Sequence, residues 1–144
     1  MGYYVEMSMD VIVKDEAGAL EAINAMHEPE VVKANGSGGR WANGRQEEKW
    51  YSWVNNPGPE GFPTLEDALA EWRYVTERHG EEGVLSIVYF AGEKLGDDDQ
   101  LFNAIGPYLE GEITCEGEDG ELWGYRFKDG IVTEMTGEVV WTEM

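Results

Sequence analysis

The stretch Glu121-Leu122-Trp123-Gly124-Tyr125-Arg126-Phe127-Lys128-Asp129-Gly130-Ile131-Val132-Thr133-Glu134-Met135-Thr136-Gly137 decides the fold class. Asp129-Gly130, flanked by alternating apolar residues, is among the best hairpin signals a sequence can carry. Trp123, Tyr125 and Phe127 recur at a period of two, so they share one face of a strand. Asp119-Gly120 and Thr136-Gly137 mark further reversals on either side. The C-terminal part therefore predicts a meander of short strands over 112–116, 121–128, 131–136 and 138–142.

Upstream of the meander, helices alternate with strands. Tyr3, Val5, Met7, Met9, Val11 and Val13 are apolar while Glu6, Ser8 and Asp10 fall on the other parity, which predicts a long strand with one buried face. Asp15 can cap a short helix reaching about His27, with Pro29 just beyond it. Residues 33–48 have neither period and are rich in Gly, Asn and Ser, so they read as a flexible loop. Trp50, Tyr51, Trp53 and Val54 suggest a short aromatic strand, closed by the turn cluster Asn55-Asn56-Pro57-Gly58-Pro59.

Thr64 opens a helix in which Leu65, Ala68, Leu69, Trp72 and Val75 make one apolar stripe ending near His79-Gly80. Val84 to Phe90 is apolar on both parities apart from Ser86, as expected of a central strand covered on both faces. Asp97-Asp98-Asp99 precede Leu101, Phe102 and Ile105 at helical spacing, and Gly106-Pro107 should end that helix. The expected fold is thus α+β: a mainly antiparallel sheet with about three helices on one face, a C-terminal meander and a possible ferredoxin-like split βαβ unit, all in one domain over 1–144.

Thirty Asp and Glu stand against ten Lys and Arg, a net charge of −20. Such a surface repels nucleic acid and anionic membranes and attracts basic partners. With 42% hydrophobic residues, six Trp and seven Tyr the chain can still bury a core. Acids outnumber bases 16 to three over residues 81–144 but 14 to seven over 1–80, so the charge deepens toward the meander. The lone Cys115 and an opening without a basic, then apolar, leader point to a reducing cytoplasm, and no apolar run is long enough to span a bilayer.

No motif names a reaction, and no catalytic residue, cofactor or metal is assigned. Asp97, Asp98 and Asp99 could offer oxygens to Mg²⁺ or Ca²⁺, but their spacing departs from known cation loops and helix capping accounts for them. His27 and His79 each fall near an expected helix C-terminus, where a partly charged imidazole is favourable. Cys115 lies on an inward parity, where it should be buried and inert. The run from Lys33 to Arg45 reverses the charge: it holds Lys33, Arg40 and Arg45 among glycines, and it is not a P-loop. It is a plain loop, or a contact loop anchored by Arg40 and Trp41, or a phosphate-holding loop of a nucleotide binder.

Met1-Gly2-Tyr3-Tyr4, the block from Glu118 through Asp119-Gly120-Glu121-Leu122-Trp123 to Gly130, and the closing Gly137-Glu138-Val139-Val140-Trp141 resemble a loosely defined set of small acidic proteins of bacteriophages and actinobacteria. The resemblance implies a phage or mobile-element context and carries over no active site. Together with the charge, it leads to the expectation of a non-enzymatic protein that offers a DNA-mimic-like acidic face to the basic surface of a host nucleic-acid-binding or defence protein. Glu116, Glu118, Asp119 and Glu121 are the expected contacts, with Arg40 and Trp41 as a second one, and neither nucleic acid nor a membrane as direct partner. A small-molecule or nucleotide binder using the basic loop is the alternative, and a metal-dependent hydrolase is the weakest reading.

Overall fold

The computed structural model describes residues 4–42, 44–138 and 140–143, apart from the side chains of residues 41, 42 and 45–47. The chain runs β1 (Val5–Val13), α1 (Glu16–Met26), α2 (Pro29–Asn35), β2 (Gly38–Ala42), β3 (Arg45–Trp50), α3 (Leu65–Glu71), β4 (Tyr74–His79), β5 (Val84–Phe90), α4 (Asp98–Ile105), a 3-10 turn (Gly106–Tyr108), β6 (Leu109–Gly117), β7 (Leu122–Lys128) and β8 (Ile131–Gly137). A six-stranded antiparallel sheet has the order β4-β5-β1-β6-β7-β8, and β2-β3 is a separate hairpin.

Because β1 is antiparallel to both β5 and β6, those two run parallel to each other with β1 between them, and α4 makes the crossover. That is a split βαβ unit. β5 likewise separates the parallel pair β1 and β4, so the core β1-α1-β4-β5-α4-β6 has the ferredoxin-like arrangement, extended by β7 and β8. α2, the β2-β3 hairpin and α3 are inserted between α1 and β4.

The odd residues of β1 face the helices, as the alternation required. Val11 and Val13 meet Ile23 of α1, Leu101, Phe102 and Ile105 of α4, and Ile87, Ile113 and Phe127 of the sheet in one core. Burying each such side chain contributes about 1.5–3 kcal/mol. Trp72 and Tyr51 are fully buried in the same core.

Five expectations change. The loop over 33–48 is instead the end of α2 followed by the β2-β3 hairpin. Pro29 lies just beyond the first helix as expected, and it also stands in the first turn of α2, where its fixed φ suits a helix start. Gly38 leaves room for the Trp50 indole, which lies where its Cβ would be. The aromatic strand over 50–54 stops at Trp50, since Val54 N–H closes a turn onto the Tyr51 carbonyl at 2.9 Å.

The helix expected to reach His79 ends at Glu71, because Arg73 takes a left-handed φ of 73° and Tyr74-Val75-Thr76 continue as strand. β5 is only partly covered on its outer face, where Ser86 is buried but Val84 and Tyr89 are exposed, Tyr89 at 60%. The register shift opposite Val75/Thr76 lets Phe90 join Leu85 and Ile87 inside. Finally, Glu138, Val140, Trp141 and Thr142 form no strand, Trp141 is exposed, and Val139 lies outside the described residues.

Candidate acidic binding face

All the helices that pack on the six-stranded sheet lie against the face carrying Val11, Ile87, Ile113 and Phe127. Among the described residues no helix covers the other face. β1 contributes Glu6, Ser8 and Asp10 to it, β6 contributes Glu110, Glu112, Thr114 and Glu116, and all seven are exposed. The register sets Glu6 opposite Glu116 and Asp10 opposite Glu112 on adjacent strands. Like charges directly opposite each other in a sheet are destabilising.

Compensation is uneven. Arg126 Nε donates to Glu112 Oε1 at 2.7 Å, and Lys14 Nζ comes within 3.7 Å of Glu110. Glu6, Asp10 and Glu116 have no ion pair among the described residues. Near Glu6 and Glu116 the ladder between β1 and β5 lapses: it pairs Val11 with Ile87 and Ile12 with Ser86, then resumes only where Tyr4 pairs with Lys94 and Val5 N–H donates to the Glu93 carbonyl at 3.0 Å.

A groove of about 710 Å³ occupies this end of the sheet, lined by Glu6, Glu93, Glu116 and Glu118 and by the rings of Tyr4 and Tyr89. Carboxylates beside exposed rings suit a cationic group, since a cation is drawn both to the acids and to an aromatic face. The Lys94 ammonium already sits 4.9 Å from the centre of the Tyr4 ring.

Of the residues singled out from sequence, Glu116 and Glu118 line this groove. Asp119 and Glu121 are at the β6-β7 turn, where Asp119 Oδ1 accepts from Glu121 N–H at 3.0 Å, so Asp119 shapes the tip. Arg40 belongs to the separate β2-β3 sheet and pairs with Glu48 at 3.3 Å across it. Trp41 is in the same hairpin, and its side chain lies outside the described residues. Glu6, Asp10 and Glu93 were missed. The polar parity of β1 was visible, but what lies opposite it depends on a register between segments about a hundred residues apart.

The three aspartates have separate roles. Asp97 Oδ2 accepts from Ser37 Oγ at 2.7 Å, Ser37 N–H at 3.2 Å and Ser52 N–H at 2.9 Å, tying the β2-β3 insertion to the start of α4. It occupies the N-cap position without a capping bond of its own. Asp98 is buried, accepts from Tyr74 Oη at 2.8 Å and lies 3.7 Å from Arg73 Nη2, with burial pushing its carboxyl above the usual range. Asp99 is exposed. Among the described residues, no group of three or more His, Cys, Asp or Glu is placed to hold a metal ion.

Neither histidine is a charged helix cap. His27 Nε2 accepts from Trp72 Nε1 at 3.0 Å, so Nδ1 carries the proton and donates to Asn56 Oδ1 at 2.9 Å. Burial lowers its pKa, which fits a neutral ring. His79 ends strand β4, exposed and 3.6 Å from Glu77. Cys115 is buried on the inner face as expected, and burial pushes its thiol up to about 12.

Comparison with known proteins adds nothing to these residues: no family model, curated protein or solved structure matches the chain. No helix among the described residues is long and apolar enough to cross a membrane.

Proposed function

We propose that this chain is a non-enzymatic binding protein that presents the open face of its sheet to a basic surface on another protein. The observation that carries the reading is the opposition of Glu6 to Glu116 and Asp10 to Glu112 on a face no helix covers. Like charges so placed cost stability, and of these four only Glu112 has an ion pair among the described residues. With Glu110 these residues place five carboxylates within six residue steps of β6. At about 3.4 Å per residue they stand at three levels along the sheet, roughly 7 and 14 Å apart, with acids of the two strands side by side at two of them. A surface built to hold a phosphate backbone would accept this array.

With the phage-like resemblance of its two ends, the chain acts on this reading as an inhibitor of a host nucleic-acid-binding or defence protein. It would work by occupying the site meant for DNA or RNA. Electrostatic steering would speed association, and binding would weaken as salt rises. The test is to immobilise the protein, pass host lysate over it at low salt, and challenge what is retained with duplex DNA. Retained proteins should be released by the duplex and should not bind the Glu6→Gln/Glu116→Gln double variant. Retention indifferent to both the duplex and the double variant would overturn the proposal.

A further inference from the structure

The two edges of the six-stranded sheet are built differently. On β4 the partner strand bulges opposite Val75/Thr76, and the strand ends in Glu77-Arg78-His79. Arg78 is also held by Glu16 and Glu66, each at 2.7 Å. Bulges and charged residues are the usual devices that stop an edge from pairing with another chain.

β8 has no bulge and a single charged residue, Glu134. Its seven residues, Ile131-Val132-Thr133-Glu134-Met135-Thr136-Gly137, pair with β7 in unbroken register, hold neither Pro nor Lys, and carry one charge. Ile131 is 63% exposed, and the described residues after Gly137 form no strand that would cover the edge. A regular edge of this kind offers unpaired N–H and C=O groups to an added strand.

We propose that β8 receives an extended basic segment of the partner as a seventh strand of the sheet. The charge of the neighbourhood selects the occupant. From Asp129 to Met144 the chain has four acids, Asp129, Glu134, Glu138 and Glu143, and no Lys or Arg; the adjacent β7 adds Arg126, which is paired with Glu112, and Lys128 opposite Ile131, so acids still outnumber bases four to two around this edge. A second copy would bring the same four acids and another −20 of charge against this edge. A strand bearing Lys or Arg on alternate residues gains the backbone ladder and complements the field. The inference rests on the reading of the chain as a receptor for a basic partner and specifies how part of that partner is held.

The probe is a short synthetic peptide of alternating Lys and Val, followed by amide hydrogen exchange. Adding it should slow exchange at every second amide of β8, since alternate residues of an edge strand turn their N–H groups outward. Pro is then placed singly at Thr133 and Glu134, adjacent positions of which one has an outward N–H. The variant that keeps the wild-type melting curve should bind the peptide at least about tenfold more weakly. Peptide binding with no change at the β8 amides overturns the edge proposal. If that binding is still lost in Glu6→Gln/Glu116→Gln, the open-face reading survives alone. Slowed β8 exchange that ignores the double variant and salt removes the open-face reading and leaves the edge. β8 amides already protected in the free protein at concentrations where it sediments as a dimer would show a second copy on the edge and overturn the proposal.

Discussion

His27 illustrates how one polar side chain can be committed to the fold. Its ring bridges Trp72 Nε1 and Asn56 Oδ1 while packing edge-on to Tyr51, Phe62 and Trp72. Burial depresses its pKa below the ordinary 6.5, so between that value and its folded pKa the unfolded chain binds the extra proton. Stability is then complete above pH 6.5 and declines as pH falls through the folded pKa. Chemical denaturation between pH 7 and 5 should show this slope in the wild type and not in His27→Gln, whose amide can still accept from Trp72. An equal slope in both would mean that His27 is not the titrating group. His27→Leu, which strands the buried indole N–H, should cost about 1–3 kcal/mol at neutral pH. Glu6→Lys tests the opposite kind of residue. It turns the like-charge pair with Glu116 into an attractive one, and should raise stability by about 0.2–1 kcal/mol while weakening capture of a basic partner. A fall in stability would show that the two carboxylates do not oppose each other.

At the scale of elements, the segments legible in the sequence were those whose period was uninterrupted. β1 and β7 alternate, β8 is bounded by Asp129-Gly130 and Gly137, and α4 ends at Gly106-Pro107 as their chemistry dictates. The helix-to-strand change at Trp72-Arg73-Tyr74 was not legible. Trp72 and Val75 fit a helical stripe as well as a strand, and the break lies in a left-handed φ at an arginine, a residue that seldom adopts it. Its side chain offsets part of that cost: Arg73 stacks 5.0 Å from the rings of both Trp53 and Phe90 and donates to the Lys94 carbonyl at 2.9 Å. The candidate site was half legible, because Glu116 and Glu118 sit beside a turn signal while Glu6 and Asp10 depend on the β1-β6 register. That register can be tested at Gly111. With φ 128° it faces Val11, and a Cβ there would strike the Asp10 carbonyl oxygen in the neighbouring strand. Gly111→Ala should therefore cost about 3 kcal/mol or more, read as a lowered denaturant midpoint. A variant as stable as wild type would mean that β1 and β6 are paired differently.

For the molecule as a whole, net charge sets two salt responses of opposite sign. Twenty uncompensated negative charges repel one another in the compact state more than in the expanded chain, so the folded form gains when they are screened. Against this stand the exposed ion pairs Arg78 with Glu16 and Glu66, Arg126 with Glu112, and Lys14 with Glu110, which salt weakens. Exposed pairs of this kind contribute little and often nothing measurable. Repulsion, in contrast, is summed over every acid within a Debye length, which shrinks from about 30 Å at 0.01 M salt to about 8 Å at 0.15 M. Repulsion should therefore win. Raising NaCl across that range should stabilise the fold by about 1 kcal/mol, or about 2–4 °C in Tm for a domain of this size. The same titration should loosen any complex with a basic partner, whose attraction to Glu6, Asp10 and Glu116 is screened by the same ions. Melting curves and binding isotherms recorded on one salt series would then diverge, stability rising as affinity falls. If Tm instead dropped with salt, the ion pairs would be the dominant electrostatic contribution to the fold.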